Sequence, residues 1–104
     1  MDIKVNWSPR ALEDVESIAE YISRDSQFYA RATVSKIIDF SRSVGRFPQM
    51  GRIVPEFNDK KIRERLVYSY RLVYKIENAR VLIVAVIHDK RLFSSISERF
   101  APAD

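Results

Sequence analysis

Tyr70-Arg71-Leu72-Val73-Tyr74-Lys75-Ile76 is the stretch on which the fold turns. Leu72, Tyr74 and Ile76 fall on one face of an extended chain and Arg71 and Lys75 on the other, a period of two that predicts a strand. Glu77-Asn78-Ala79 reads as a turn. Val81 to His88 is apolar on both faces, as expected of an interior strand covered on each side. Upstream, Ile62 to Val67 predicts another strand, with Glu64 on the same side as Ile62 and Leu66. Connections this short cannot carry parallel crossovers, so the three strands are expected to form an antiparallel meander.

Further out, the pattern changes. Ile3, Val5 and Trp7 alternate with Lys4 and Asn6, a short strand with Trp7 in the core. Ser8-Pro9 supplies a helix cap and a proline at the first helical position. Leu12, Val15, Ala19 and Ile22 then recur at helical spacing, with Glu13, Asp14 and Glu16 near the positive end of the dipole. A second helix starts at Asp25 or Ser26, carries Ala30, Val34, Ile37, Ile38 and Val44 on one stripe, and is expected to stop at Gly45. Phe47 to Asp59, broken by Pro48, Gly51 and Pro55, reads as a loop. Phe93 to Asp104 fits either a short helix or an edge segment. The expected architecture is α+β, in the order β-α-α-β-β-β, a helical hairpin packed on one face of a small antiparallel sheet.

The 104 residues fit one domain, 1–104, and 46% hydrophobic content is enough for one core without staples. There is no cysteine, so disulfides and thiolate metal sites are out. Lys4 interrupts the first apolar stretch and no small-residue cleavage site follows, against a signal peptide. The apolar run from Val81 to Ile87 is too short to span a bilayer, so no membrane association is expected and the cytoplasm is the expected compartment.

Charge is unevenly spread. Residues 1–59 hold 8 basic and 9 acidic side chains, whereas residues 60–91 hold 9 basic and 3 acidic. The excess positive charge therefore sits in one third of the chain, as on a surface for a polyanion or an acidic partner. Basic residues that merely solubilise the outer face of a sheet would look the same. If Arg63 and Arg65 share the outer face with Arg71 and Lys75, the sheet is positive opposite its helices.

The two glycines cannot form a phosphate loop, one histidine leaves no zinc set, and no metal or cofactor is expected. No serine stands in a nucleophile elbow. His88, beside Asp89, Lys90 and Arg91, is a candidate general acid or base, or a strand-end histidine bonded to backbone. Arg71 and Arg91 suit phosphate or developing negative charge; equally, they suit salt bridges with Glu56, Glu64 or Asp89. Tyr68, Tyr70 and Tyr74 are candidates for base stacking, though strand tyrosines more often pack across strands.

Four segments together resemble the RelE/ParE toxins of type II toxin–antitoxin systems: Gly51-Arg52-Ile53-Val54-Pro55-Glu56, Ile62-Arg63-Glu64, Ser69-Tyr70-Arg71-Leu72-Val73-Tyr74 and Val86-Ile87-His88-Asp89-Lys90-Arg91. The element order agrees, so the resemblance covers nearly the whole chain. It implies a toxin that arrests growth, of the kind also associated with plasmid stabilization, and a cognate antitoxin. An acidic, partly disordered antitoxin segment would suit the basic region.

The superfamily implies two activities on one fold. RelE-like members cleave mRNA on the ribosome without metal, and a match to them makes Arg65, Arg71, His88 and Arg91 the catalytic candidates. Where RelE has a lysine pair, this chain has Ile62 and Glu64, or Arg63 and Arg65 with a one-residue shift that changes face. The tail tyrosine of RelE falls near Ser97. ParE-like members inhibit DNA gyrase instead, and the Gly-Arg-x-x-Pro-Glu run, His88 and the well-developed helices look more like ParE. A partner or RNA surface is expected at Arg63, Tyr70, Lys75 and Lys90. A non-toxic member that only binds its antitoxin is the third reading.

Overall fold

The computed structural model describes residues 2–89 and 96–100. Strand β1 (Lys4–Trp7) leads into helix α1 (Pro9–Ser23) and helix α2 (Gln27–Arg46). A 3₁₀ turn (Pro48–Met50) and a two-residue strand β2 (Arg52–Ile53) follow. Then come β3 (Ile62–Val67), β4 (Tyr70–Ile76), β5 (Arg80–His88) and a 3₁₀ turn at Ser97–Phe100. Both helices begin on serine caps: the Ser8 hydroxyl accepts from the Ala11 amide and that of Ser26 from the Tyr29 amide, each at 3.1 Å.

The sheet order is β1-β5-β4-β3-β2. β3, β4 and β5 form the expected meander, and the helical hairpin lies on one face. Two features enlarge the expected sheet. β1 pairs parallel to β5, with Lys4 opposite Arg80 and Trp7 opposite Ile83, so the sheet is mixed. The segment read as loop also contributes β2, antiparallel to β3 with Arg52 opposite Glu64.

The helix-facing core joins Leu72, Tyr74, Val81, Ile83 and Val86 of the sheet to Ala11, Val15, Ile37 and Val44. Leu12 of the expected α1 stripe is 47% exposed, and Ala11 takes its place. A second cluster covers the other face, where Val54, Ile62, Val73, Ala85, Ile87 and Ile96 pack with Phe57 and Phe100. Burial on both faces explains the continuous apolar run of β5.

Gly45 does not end α2, which continues to Arg46. Its role is proximity: a Cβ there would lie 2.8 Å from Val5 Cγ2 and 2.9 Å from the Ile3 carbonyl oxygen. The last turn of α2 thus presses directly on the chain entering β1, and the Ile3 amide donates to the Gly45 carbonyl at 3.0 Å.

The β4–β5 register shifts between Val73 and Tyr74, because Val73 faces Ala85 while Tyr74 faces Ile83. Val84 is the extra residue of a β-bulge. Asp14 and Arg99 satisfy the backbone that the bulge displaces. Asp14 Oδ2 accepts from the Val86 amide at 3.0 Å, and Arg99 Nη1 donates to the Val84 carbonyl at 3.0 Å. Arg99 and Asp14 bond each other at 2.7 and 3.2 Å, nearly buried. Asp14 is therefore not in the helix's first turn acting on the dipole; it is a tie from α1 to the sheet.

Candidate functional site

The bulge keeps Tyr70 and His88 on the helix face of their strands, directly paired, with ring centroids 5.8 Å apart edge to face. His88 Nδ1 lies 3.1 Å from Asp89 Oδ1, and the Asp89 amide donates to the Ser69 carbonyl at 2.8 Å. Burial raises the Tyr70 pKa, with the nearby Tyr21 adding to the effect. Tyr70 therefore stays a neutral hydroxyl. Ser69, Tyr70 and His88 line a cleft of about 730 Å³ between α1 and the β3–β4 hairpin, with Glu13, Ser17 and Tyr21 on the helix side.

Arg71 lies on the opposite face. Its Nε donates to Glu64 Oε1 at 2.5 Å, and its two terminal nitrogens bond both Glu56 oxygens at 3.0 Å. Arg52 Nε holds the other Glu64 oxygen at 2.5 Å. Glu64 is 1% and Arg71 6% exposed. Burial works against the Arg71 charge, but its bonds to Glu56 and then Glu64 outweigh it and raise the pKa. In turn the Arg71 hydrogen bond holds Glu56 below the usual carboxylate range. Arg71 thus forms a salt bridge with Glu56 and Glu64.

This network gives the Gly-Arg-x-x-Pro-Glu run a physical reading, because Gly51, Arg52 and Glu56 each clamp the loop to a strand. Arg52 reaches Glu64 of β3 and Glu56 reaches Arg71 of β4. The Gly51 amide donates to the Tyr74 hydroxyl at 3.1 Å, and that hydroxyl donates to the Pro48 carbonyl at 2.6 Å. A Cβ on Gly51 would lie 2.3 Å from the Tyr74 hydroxyl oxygen. Tyr74 is fully buried, with its pKa raised by that burial. It cannot stack on a base.

Arg63 and Arg65 do not share the outer face with Arg71. Paired with Tyr74 and Leu72, they point to the helix side. Glu64 takes the outer position between them, because side chains alternate along a strand. Arg63 Nη1 donates to the carbonyls of Gln49 and Gly51 at 3.1 and 2.9 Å, and its Nε to that of Lys60 at 2.9 Å. Arg65 donates to the Ser43 hydroxyl at 3.1 Å and lies 4.8 Å over the Phe40 ring.

Lys75 lies at the far end of β4, about 17 Å from Tyr70 at about 3.3 Å per residue. Lys90 and Arg91 lie outside the described residues. The fold thus brings Tyr70 and His88 together, sets Arg71 on the other face, and holds Arg65 against α2. Sequence reasoning missed Asp14 and Arg99, which no local pattern connects, since they are 85 positions apart.

Two helices on this mixed sheet define the RelE/ParE superfamily fold of type II toxins. Matches to known proteins agree. The ParE toxin family of the type II toxin–antitoxin system parDE matches residues 5–93, and the chain belongs to that family. Its fold is similar to the chromosomal ParDE system from P. aeruginosa, with a TM-score of 0.69 at 13% identity, covering 83% of this chain and 95% of that one. A mutant E. coli toxin RelE in the free state matches with a TM-score of 0.68 at 17% identity, covering 97% and 100%. The RelBE2 toxin–antitoxin complex from Mycobacterium tuberculosis gives 0.61 at 18%, covering 85% and 99%. Among curated proteins, no sequence matches the chain. Among the described residues, no helix is long and apolar enough to cross a membrane.

Proposed function

We propose that this toxin arrests growth in the cytoplasm by binding DNA gyrase, without cleaving RNA itself, and that a cognate antitoxin neutralises it through an acidic, partly disordered segment. The observation that carries this reading is the state of Arg71. The guanidinium that would have to reach an RNA phosphate is bonded to Glu56 and Glu64, on the face away from Tyr70 and His88. A phosphate would have to displace two carboxylates from a nearly buried cation, against the desolvation of Glu64. Arg65, His88 and Arg91 are the groups left for RNA chemistry. Arg65 is engaged by Ser43 and Phe40.

On this reading Tyr70, Lys75 and Lys90 contact partners, while Arg63 acts mainly by holding the turn at Gln49–Gly51. Acidic antitoxin side chains would meet the basic third of the chain by electrostatic complementarity.

The test pairs two assays. Purified toxin is added to gyrase supercoiling reactions, and DNA and protein synthesis are pulse-labelled after induction of the chain alone. The expected result is inhibited supercoiling and an early loss of DNA synthesis with translation intact. An early loss of protein synthesis with supercoiling unaffected overturns the proposal in favour of ribosome-dependent mRNA cleavage. Normal growth with both processes intact leaves an antitoxin-binding member that does no harm.

A further inference from the structure

The cleft between α1 and the β3–β4 hairpin has a chemistry that the gyrase reading does not use. Tyr68 and Ser69 form the two-residue connection between paired Val67 and Tyr70. Tyr68 has φ 55°, the left-handed region that glycine or asparagine normally takes in such turns. For a bulky aromatic residue this conformation is strained, and strain of this kind gathers at functional positions. Its result is visible: the Tyr68 ring stands 66% exposed at the cleft mouth. Tyr21, 68% exposed, faces the same cleft from α1, and Tyr70 lines it.

The cleft's charges are mostly compensated. Arg99 is paired with Asp14, and His88 lies against Asp89. The Arg99 Nε is buried and has no acceptor among the described residues. Glu13, exposed on the same helix face as Ser17 and Tyr21, adds a carboxylate to the rim. Aromatic faces with a carboxylate at their edge recognise a cation, and arginine above all, because its planar guanidinium stacks and hydrogen-bonds at once. The same carboxylate repels the phosphates of a nucleic acid.

We infer that this cleft is a docking site for a partner protein that inserts an arginine side chain between Tyr68 and Tyr21, with Glu13 as its counter-ion. The inference is independent of whether the toxin's target is gyrase.

The test is an amide chemical-shift titration of the whole chain with N-acetyl-arginine methylamide, its uncharged citrulline analogue, and a short single-stranded oligonucleotide. The arginine derivative is expected to shift Glu13 to Tyr21, Tyr68 to Tyr70 and His88 saturably, and the citrulline analogue to bind at least threefold more weakly. Glu13→Gln and Tyr68→Gly are each expected to weaken arginine binding about threefold, as for one exposed ion pair or one cation–π contact. Tyr68→Gly suits the φ of this turn, so the fold survives the loss of the ring. Equal binding of arginine and citrulline derivatives, no saturable shift, or oligonucleotide binding in the cleft without arginine binding would each overturn the inference.

Discussion

Replacing Arg71 by alanine should destabilise this protein before it informs on any reaction. The guanidinium makes three bonds to two carboxylates, and Glu64 beneath it is 1% exposed. Without Arg71, Glu64 keeps only Arg52 among the described residues, and that side chain is 63% exposed. Removing one partner of a buried ion pair costs about 3–5 kcal/mol. The surviving bond to Arg52 places this case near about 3 kcal/mol. A domain of this length has about 5–15 kcal/mol in all, and each kcal/mol moves the melting midpoint by about 4 °C or more. The expected drop is thus about 12 °C, read by circular dichroism and checked by urea unfolding at neutral pH. Glu64→Leu combined with Arg71→Met should recover most of it, because an apolar pair of similar volume leaves no stranded charge. An Arg71→Ala variant that melts within about 2 °C of the parent while losing toxicity would refute the reasoning and return Arg71 to a functional role.

Three further outcomes are expected. Glu56 has a lowered folded-state pKa, so the stability it adds is present above the ordinary carboxylate value of 4.5 and fades as pH falls through the folded value. With its side chain 40% exposed, Glu56→Gln should cost at most about 1 kcal/mol at pH 7. That difference should shrink on acidification, and one that grows in urea titrations below pH 4.5 would contradict the assignment. Gly51→Ala should destabilise by about 1–3 kcal/mol, because the new methyl collides with the Tyr74 hydroxyl and the Glu64 carbonyl; thermal melting decides. Asp14→Ala strands Arg99, leaves the Val86 amide without its acceptor, and should cost on the order of 3 kcal/mol. Hydrogen exchange at Val86 should quicken in that variant beyond the global change.

The sequence by itself determined both helices and four of the five strands, in their order, and missed only the two-residue β2. Strands β3 and β4 begin and end where the period-two pattern does, and serine caps open both helices, because alternation and capping are properties of a few neighbouring residues. The family was legible for the same reason: the segments that carry the resemblance are contiguous. Glu64 already showed itself as an acid among apolar neighbours, in need of a cation.

Only the tertiary structure decided which cation, and on which face. Arg63 and Arg65 flank Glu64, but alternation sends them to the helix side, so the partners had to come from β4 and the preceding loop. The bulge at Val84 was equally hidden, since an apolar run of this kind shows no phase from which a shift could be read. Its remedy, Asp14 with Arg99, joins residues 85 positions apart. The single-sided basic sheet expected from composition became two separate arrangements, one a buried network holding a loop, the other arginines laid against α2 and a turn. Charge counts along a chain register how many cations there are, whereas strand register and burial decide which of them still face a partner.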